Sequence, residues 1–247
     1  MKLSEFRSQL EEELAWRTEE LRFLHNQCEA IPDTANQDRF RRAIVLLLYS
    51  HFEGFCKFAL LLYVAAINDE CIKCEEAHSA IVAATLHDVL TAFRDGTKKV
   101  VEFRNSLPDD SKLHRFARDQ EFIERSREIM QEQVHIPDTV VDTESNLKPI
   151  VLRKNLYRLG LPYDQFAEYD GRIDKLLNLR NKIAHGESKV GIGAGVYDEL
   201  QTSTLNILAG IIVRVTEAFA DRRYVRQGNP REIKEAVPEL TSPSPAV

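Results

Sequence analysis

The sequence predicts an all-α fold, a helical bundle of four to five core helices with a helical insertion at about residues 68–141. Apolar residues recur at three- and four-residue spacing over long stretches near both ends of the chain, the period of an amphipathic helix. The stretch at about 37–67 is apolar nearly all round, as a helix at the centre of a bundle would be. Extended backbone is expected only briefly, at Val140-Val141. With 247 residues and 43% hydrophobic side chains, the chain is long enough to bury a real core. The expected partition is one helical domain over 1–225, insertion included, and a flexible tail over 226–247, where Gly, Pro and Ser content rises.

Residues 3–28 place Phe6, Leu10, Leu14, Leu21 and Leu24 on one face among many charges, with Ser4 as N-cap, and Pro32-Asp33 end this helix. In the central helix that follows, Ser50, Glu53 and Lys57 fall within about 60° of one another, a polar line along an apolar rod. Two readings of that line stay open: a Glu53–Lys57 pair or solvent-facing strip, or Glu53 as the acidic partner of an arginine on another helix. His51 is expected to be a satisfied core residue. The run Ala43 to Ile67 carries His51, Glu53 and Lys57 near its middle, each costly at a bilayer centre, so a buried helix is expected and no membrane contact.

In the insertion, Cys71-Ile-Lys-Cys74 with His78 has metal-ligand spacing but lacks a fourth ligand and a second pair, so no metal or other cofactor is expected. Ile81 to Phe93 is apolar at helical spacing, Lys98 to Lys112 is charged, and 119–134 has the pattern of a mixed-charge helix. His114, Arg115 and Arg118 have the chemistry to touch phosphate, but a solvated face is the expectation. The region reads as a lobe facing substrate or partner. Thr143-Glu-Ser-Asn146 has the form of a capping sequence for the helix carrying Ile150, Val151, Leu156 and Leu159. Gly160-Leu-Pro162 breaks the chain. A helix from Arg172 to His185 follows, then a Gly-rich loop through Gly195 expected to be a mobile flap, and a last helix over about 198–223. That loop lacks the Gly-Lys-Ser/Thr ending of a phosphate-binding loop.

The net charge of −6 and pI near 5.7 exclude a surface coated in positive charge for non-specific duplex binding, so any RNA contact must be local. Four unevenly spaced cysteines and the lack of a secretory leader pattern point to a reducing, cytoplasmic setting.

The helix 172–185 carries the candidate chemistry. Ile173, Leu176, Leu177, Leu179, Ile183 and Ala184 form its apolar face, and Arg180 lies about 40° from Leu176, inside that stripe. A guanidinium there requires a partner. Asn181 and His185 are four apart on the opposite flank, and Gly186 is placed to end the helix. Arg180 and His185 are about 140° apart, so they meet on one substrate only if the Arg side chain reaches round or the helix ends at Gly186. A plain helix C-terminus would explain His185 and Gly186, but not Arg180 among leucines.

Arg180-Asn-Lys-Ile-Ala-His185 resembles the R-x4-6-H motif of the HEPN superfamily. Two more stretches, Tyr49-Ser-His-Phe-Glu-Gly-Phe-Cys-Lys57 and Asp142-Thr-Glu-Ser-Asn-Leu-Lys148, are similar to segments of a HEPN-like nuclease branch found in bacterial toxin–antitoxin and defence systems. The resemblance covers most of 1–225, most firmly 40–65 and 142–190, and implies a HEPN-like helical bundle. It further implies a metal-independent endoribonuclease, cleaving by attack of a ribose 2′-hydroxyl on the adjacent phosphate. Arg180, His185 and Asn181 would be catalytic, with Glu53, Ser50 and Lys57 in support. The implied partners are an RNA substrate, a second copy forming a composite two-fold site, and an antitoxin or other neutralising protein. The alternative is a non-catalytic HEPN module binding a protein, nucleotide or nucleic acid through the same cleft.

Overall fold

The structure, a computed structural model, describes residues 1–95 and 111–227. Among these residues it holds eight α-helices and no strand: α1 (Leu3–Glu29), α2 (Thr34–Asp69), α3 (Ser79–Thr85), α4 (His87–Arg94), α5 (Ser111–Gln131), α6 (Pro149–Arg158), α7 (Asp170–Ala184) and α8 (Ala194–Ala220). The core bundle is α1, α2, α7 and α8 with α6 against α2 and α7, which gives the expected all-α architecture. Most of segment Lys98–Lys112, and the tail beyond Gln227, lie outside the described residues.

Helix α2 sits at the centre for the reason its composition suggests. Phe52, Phe55, Cys56, Ala59, Leu60 and Tyr63 are all buried, on more than one face of the rod, against α1, α7 and α8. Asp33 caps it, its carboxylate accepting from the Asn36 N–H at 3.0 Å, so the helix starts at Thr34, a little before the expected start at about 37. Helices α2 and α8 are long and apolar enough to cross a membrane, but about half of each apolar window is buried inside the bundle, where the two share their most extensive contact. His51 is buried with Nε2 2.9 Å from Glu20 Oε2 of α1, a core residue with a partner.

The segment between α2 and α6 leaves from the end of α2 and returns to it. The Asn68 amide clasps the returning strand of chain, Nδ2 donating to Ile136 O at 3.0 Å and Oδ1 accepting from Ile136 N at 2.8 Å. The apolar stretch from Ile81 to Phe93 is two helices, α3 and α4, broken at Leu86. His114 is buried rather than solvated. Val140 ends a 3-10 turn, and Val141 alone is extended. Cys74 is buried and Cys71 exposed, and no group of three His, Cys, Asp or Glu among the described residues is placed to hold a metal ion.

Candidate active site

The end of α7 is built by its own sequence. His185 is the C-cap, and Gly186 follows in the left-handed region at φ +71°, the conformation that glycine adopts at least cost. Gly186 N donates to Ile183 O at 3.0 Å and Glu187 N to Lys182 O at 2.8 Å, the paired bonds of a Schellman ending. These bonds stop the helix one residue before His185, whose side chain is exposed. The loop beyond is tied down instead of hanging free as its composition suggested. Ile192 is buried and its N–H donates to Asp38 O at 2.9 Å, while Arg42 of α2 reaches Ser188 O. A Cβ at Gly191 would stand 2.5 Å from the Asp38 Cβ, so only glycine permits that approach.

Arg180 is half-buried between α7 and α2, where the apolar stripe placed it. Its partners are neutral. Nη1 donates to Asn146 Oδ1 at 3.0 Å and to Asn181 Oδ1 at 2.8 Å, and Cζ lies 4.9 Å from the centroid of the Tyr49 ring. Among the described residues Arg180 has no ion pair, with Glu53 or any other carboxylate, so the reading of Glu53 as its direct acidic partner does not hold. Glu53 works one step back. Burial, with the Glu53 carboxylate next, pushes the Tyr49 phenol up to about 12, against the opposing Leu147 N–H and Arg180 charge. Tyr49 therefore stays neutral beneath the guanidinium. Both Nη1 hydrogens are used, and the Nε and Nη2 hydrogens make no protein hydrogen bond among the described residues, which leaves a two-toothed edge of the kind that fits a phosphate.

Asn146 reaches Arg180 because its loop is pinned at both ends. Asn155 of α6 holds Asp142, its Oδ1 accepting from Asp142 N at 3.0 Å and its Nδ2 donating to Asp142 O at 2.7 Å. Leu147 N donates to Tyr49 Oη at 2.8 Å. Between them Glu144 and Ser145 turn through the left-handed region at φ 50° and 65°. Thr143–Asn146 is thus a tight turn and not the cap of α6, which starts at Pro149 with Lys148 before it. Tyr49 and Asn146 both lie in the HEPN-like stretches of the sequence, but no local pattern there gives either residue this role. Asn181 holds Arg180 through its side chain and contacts His185 through its backbone carbonyl, which accepts from His185 N at 3.0 Å. Ser50 is exposed and donates to Leu46 O, and Lys57 is exposed without an ion pair to Glu53 among the described residues. Among the described residues neither forms a hydrogen bond or ion pair with the three motif residues.

A family model described as RiboL-PSP-HEPN matches residues 12–219. The chain belongs to this HEPN family. The bundle is the helical fold of that superfamily, whose members are typically ribonucleases acting on RNA and often dimeric. No curated protein and no solved structure matches the chain. In this HEPN chain the residues corresponding to the R-x4-6-H pattern stand at one end of one helix, with Arg180 clamped and His185 open to solvent.

Proposed function

We propose that this HEPN protein is a metal-independent endoribonuclease whose active site is completed by a second copy of the chain. The observation that supports this most directly is Arg180, aligned by two amide oxygens and an aromatic face, with its Nε and Nη2 edge left for an anion. In the reaction the 2′-oxygen attacks the adjacent phosphorus and the bond from phosphorus to the 5′-oxygen breaks, giving a 2′,3′-cyclic phosphate and a 5′-hydroxyl. One imidazole takes the 2′-proton while another, already protonated, gives its proton to the departing oxygen. One His185 cannot begin in both states, so two chains related by a two-fold axis would contribute one each. Arg180 would hold the phosphate by two N–H bonds and stabilise the phosphorane charge, and Asn181 would fix Arg180. A toxin or phage-defence role in the bacterial cytoplasm, restrained by a neutralising protein, is the setting that the motif stretches favour.

Purified protein should cleave an RNA oligomer in EDTA. His185→Ala should lose about a hundredfold to ten-thousandfold with an unchanged unfolding midpoint, because that side chain is exposed at the helix end, and Arg180→Ala about a hundredfold or more with helical content retained. Full activity in both variants would leave a non-catalytic HEPN module.

A further inference from the structure

Asn146 stands just before the start of α6, and a second cleft opens at that helix's other end, about 15 Å along it. The cleft has a volume of about 650 Å³, within the ordinary range of small-ligand sites. It lies between α3, the last turn of α6, the break at Gly160-Leu-Pro162 and the turn after α8. Its walls carry His78, His87, Arg158 and Arg223, and among the described residues no Asp or Glu lines it, in a chain whose net charge is −6. Arg158 is held by a neutral group, Nη1 donating to Val140 O at 3.4 Å, so its charge is undiminished. Arg223 shares its charge with the exposed Asp221 at 2.8 Å. His78 Nδ1 accepts from Ala80 N at 3.2 Å, which puts the ring proton on Nε2 and makes that nitrogen a donor.

The mouth of the cleft is aromatic. Tyr157 is 67% exposed and Tyr163 49% exposed, and the two rings sit edge to face at 5.6 Å with 79° between their planes. That packing fixes the rings and leaves ring surface uncovered beside the guanidiniums, while alanines and Leu161 form an apolar floor. A simple anion would use the cations and leave the aromatic and apolar walls wet. A neutral ring would leave the cations unmatched. A planar aromatic group joined to a phosphate uses both.

We propose that this cleft binds a nucleoside phosphate, with its base on the Tyr157–Tyr163 pair and its phosphate toward Arg158 and Arg223. The site is separate from the Arg180–His185 end of α7 and does not rest on the nuclease reading. The same chemistry is offered by a free mononucleotide and by one nucleotide of an RNA strand.

The test is calorimetric titration of the full chain with GMP, AMP, inorganic phosphate and a 2′-O-methyl oligoribonucleotide, which 2′-hydroxyl attack cannot cleave. Tyr157→Ala and Arg158→Gln should each weaken binding of mononucleotide, oligomer or both by about tenfold or more, with unchanged unfolding midpoints, and should do so equally in an Arg180→Ala background, which removes the phosphate contact of the other site. Loss confined to the mononucleotides identifies a free ligand, and loss of oligomer affinity identifies a strand. Inorganic phosphate binding as tightly as GMP and AMP, no effect of either cleft variant on any ligand, or an effect of the cleft variants that disappears in the Arg180→Ala background would overturn the assignment.

Discussion

A half-buried guanidinium paired with a carboxylate presents little net charge to a phosphate, whereas one held by amide oxygens keeps its full charge in a fixed direction. Asn146, Asn181 and the neutral Tyr49 ring treat Arg180 in the second way. Asn146→Ala should therefore lower kcat for RNA cleavage by about tenfold with little change in KM, since the charge remains and only its alignment is lost. Asn146→Asp should be worse than Ala despite preserving the hydrogen bond, because the carboxylate would neutralise the cation; steady-state kinetics of the two variants would separate these cases, and Asp acting as well as Asn would contradict the charge argument. The Arg180 environment was only half legible in the sequence. Its place in the apolar stripe followed from 100° per residue, but its partner Asn146 is 34 positions away and sits in a run that reads locally as a helix cap. Likewise the bond from Leu147 to Tyr49 spans 98 positions, a distance over which no local pattern carries information.

Among elements, the helices were legible wherever one face or the whole rod was apolar, and the loops were not. The chain from Gly186 to Gly193 has the composition of a flexible segment, yet its glycine at 191 is there for a close backbone approach to Asp38 at the start of α2. That contact sets where the chain goes after His185. Gly191→Ala should destabilise the protein by about 1–3 kcal/mol in chemical denaturation, the usual result of forcing extra atoms into a filled space. It should also reduce RNA cleavage, whereas Gly193→Ala, which has open space around it, should do neither. Equal stability of the two variants would mean that the loop is not held against α2. The break of the Ile81–Phe93 stretch at Leu86 is a similar case: the apolar spacing continues through it, yet Leu86, at φ −82° and ψ 6°, ends one helix and precedes the next.

At the scale of the whole molecule, α1 is joined to α2 by apolar burial and by charged groups inside it. His51 is buried against α1, with Glu20 at 2.9 Å, Arg17 nearby and the Trp16 ring edge-on at 5.3 Å. Burial pushes its pKa below the ordinary imidazole value, Glu20 opposes this, and Arg17 adds to it. A lowered folded pKa means that the unfolded chain takes up the proton first as pH falls. This contribution to stability is therefore complete above about pH 6.5 and is lost as pH drops through the folded value, with a slope of at most about 1.4 kcal/mol per pH unit. His51→Gln should flatten the acid side of a stability-against-pH curve, and an unchanged slope would mean that His51 does not titrate on unfolding. The bundle as a whole was the most legible feature, because an apolar period sustained over two or three dozen residues outweighs any local ambiguity. The burial of His114 was not, since its neighbours Arg115 and Arg118 dominate the local pattern.

The most direct measurement is the chemical form of the ends produced when the purified protein cuts RNA in EDTA. Fragments ending in a 2′,3′-cyclic phosphate and starting with a 5′-hydroxyl, absent when His185 or Arg180 is replaced by Ala, are the expected result. Fragments with 3′-hydroxyl and 5′-phosphate ends, or cutting that needs an added divalent ion and survives both replacements, would contradict a site built from a clamped guanidinium and an open imidazole.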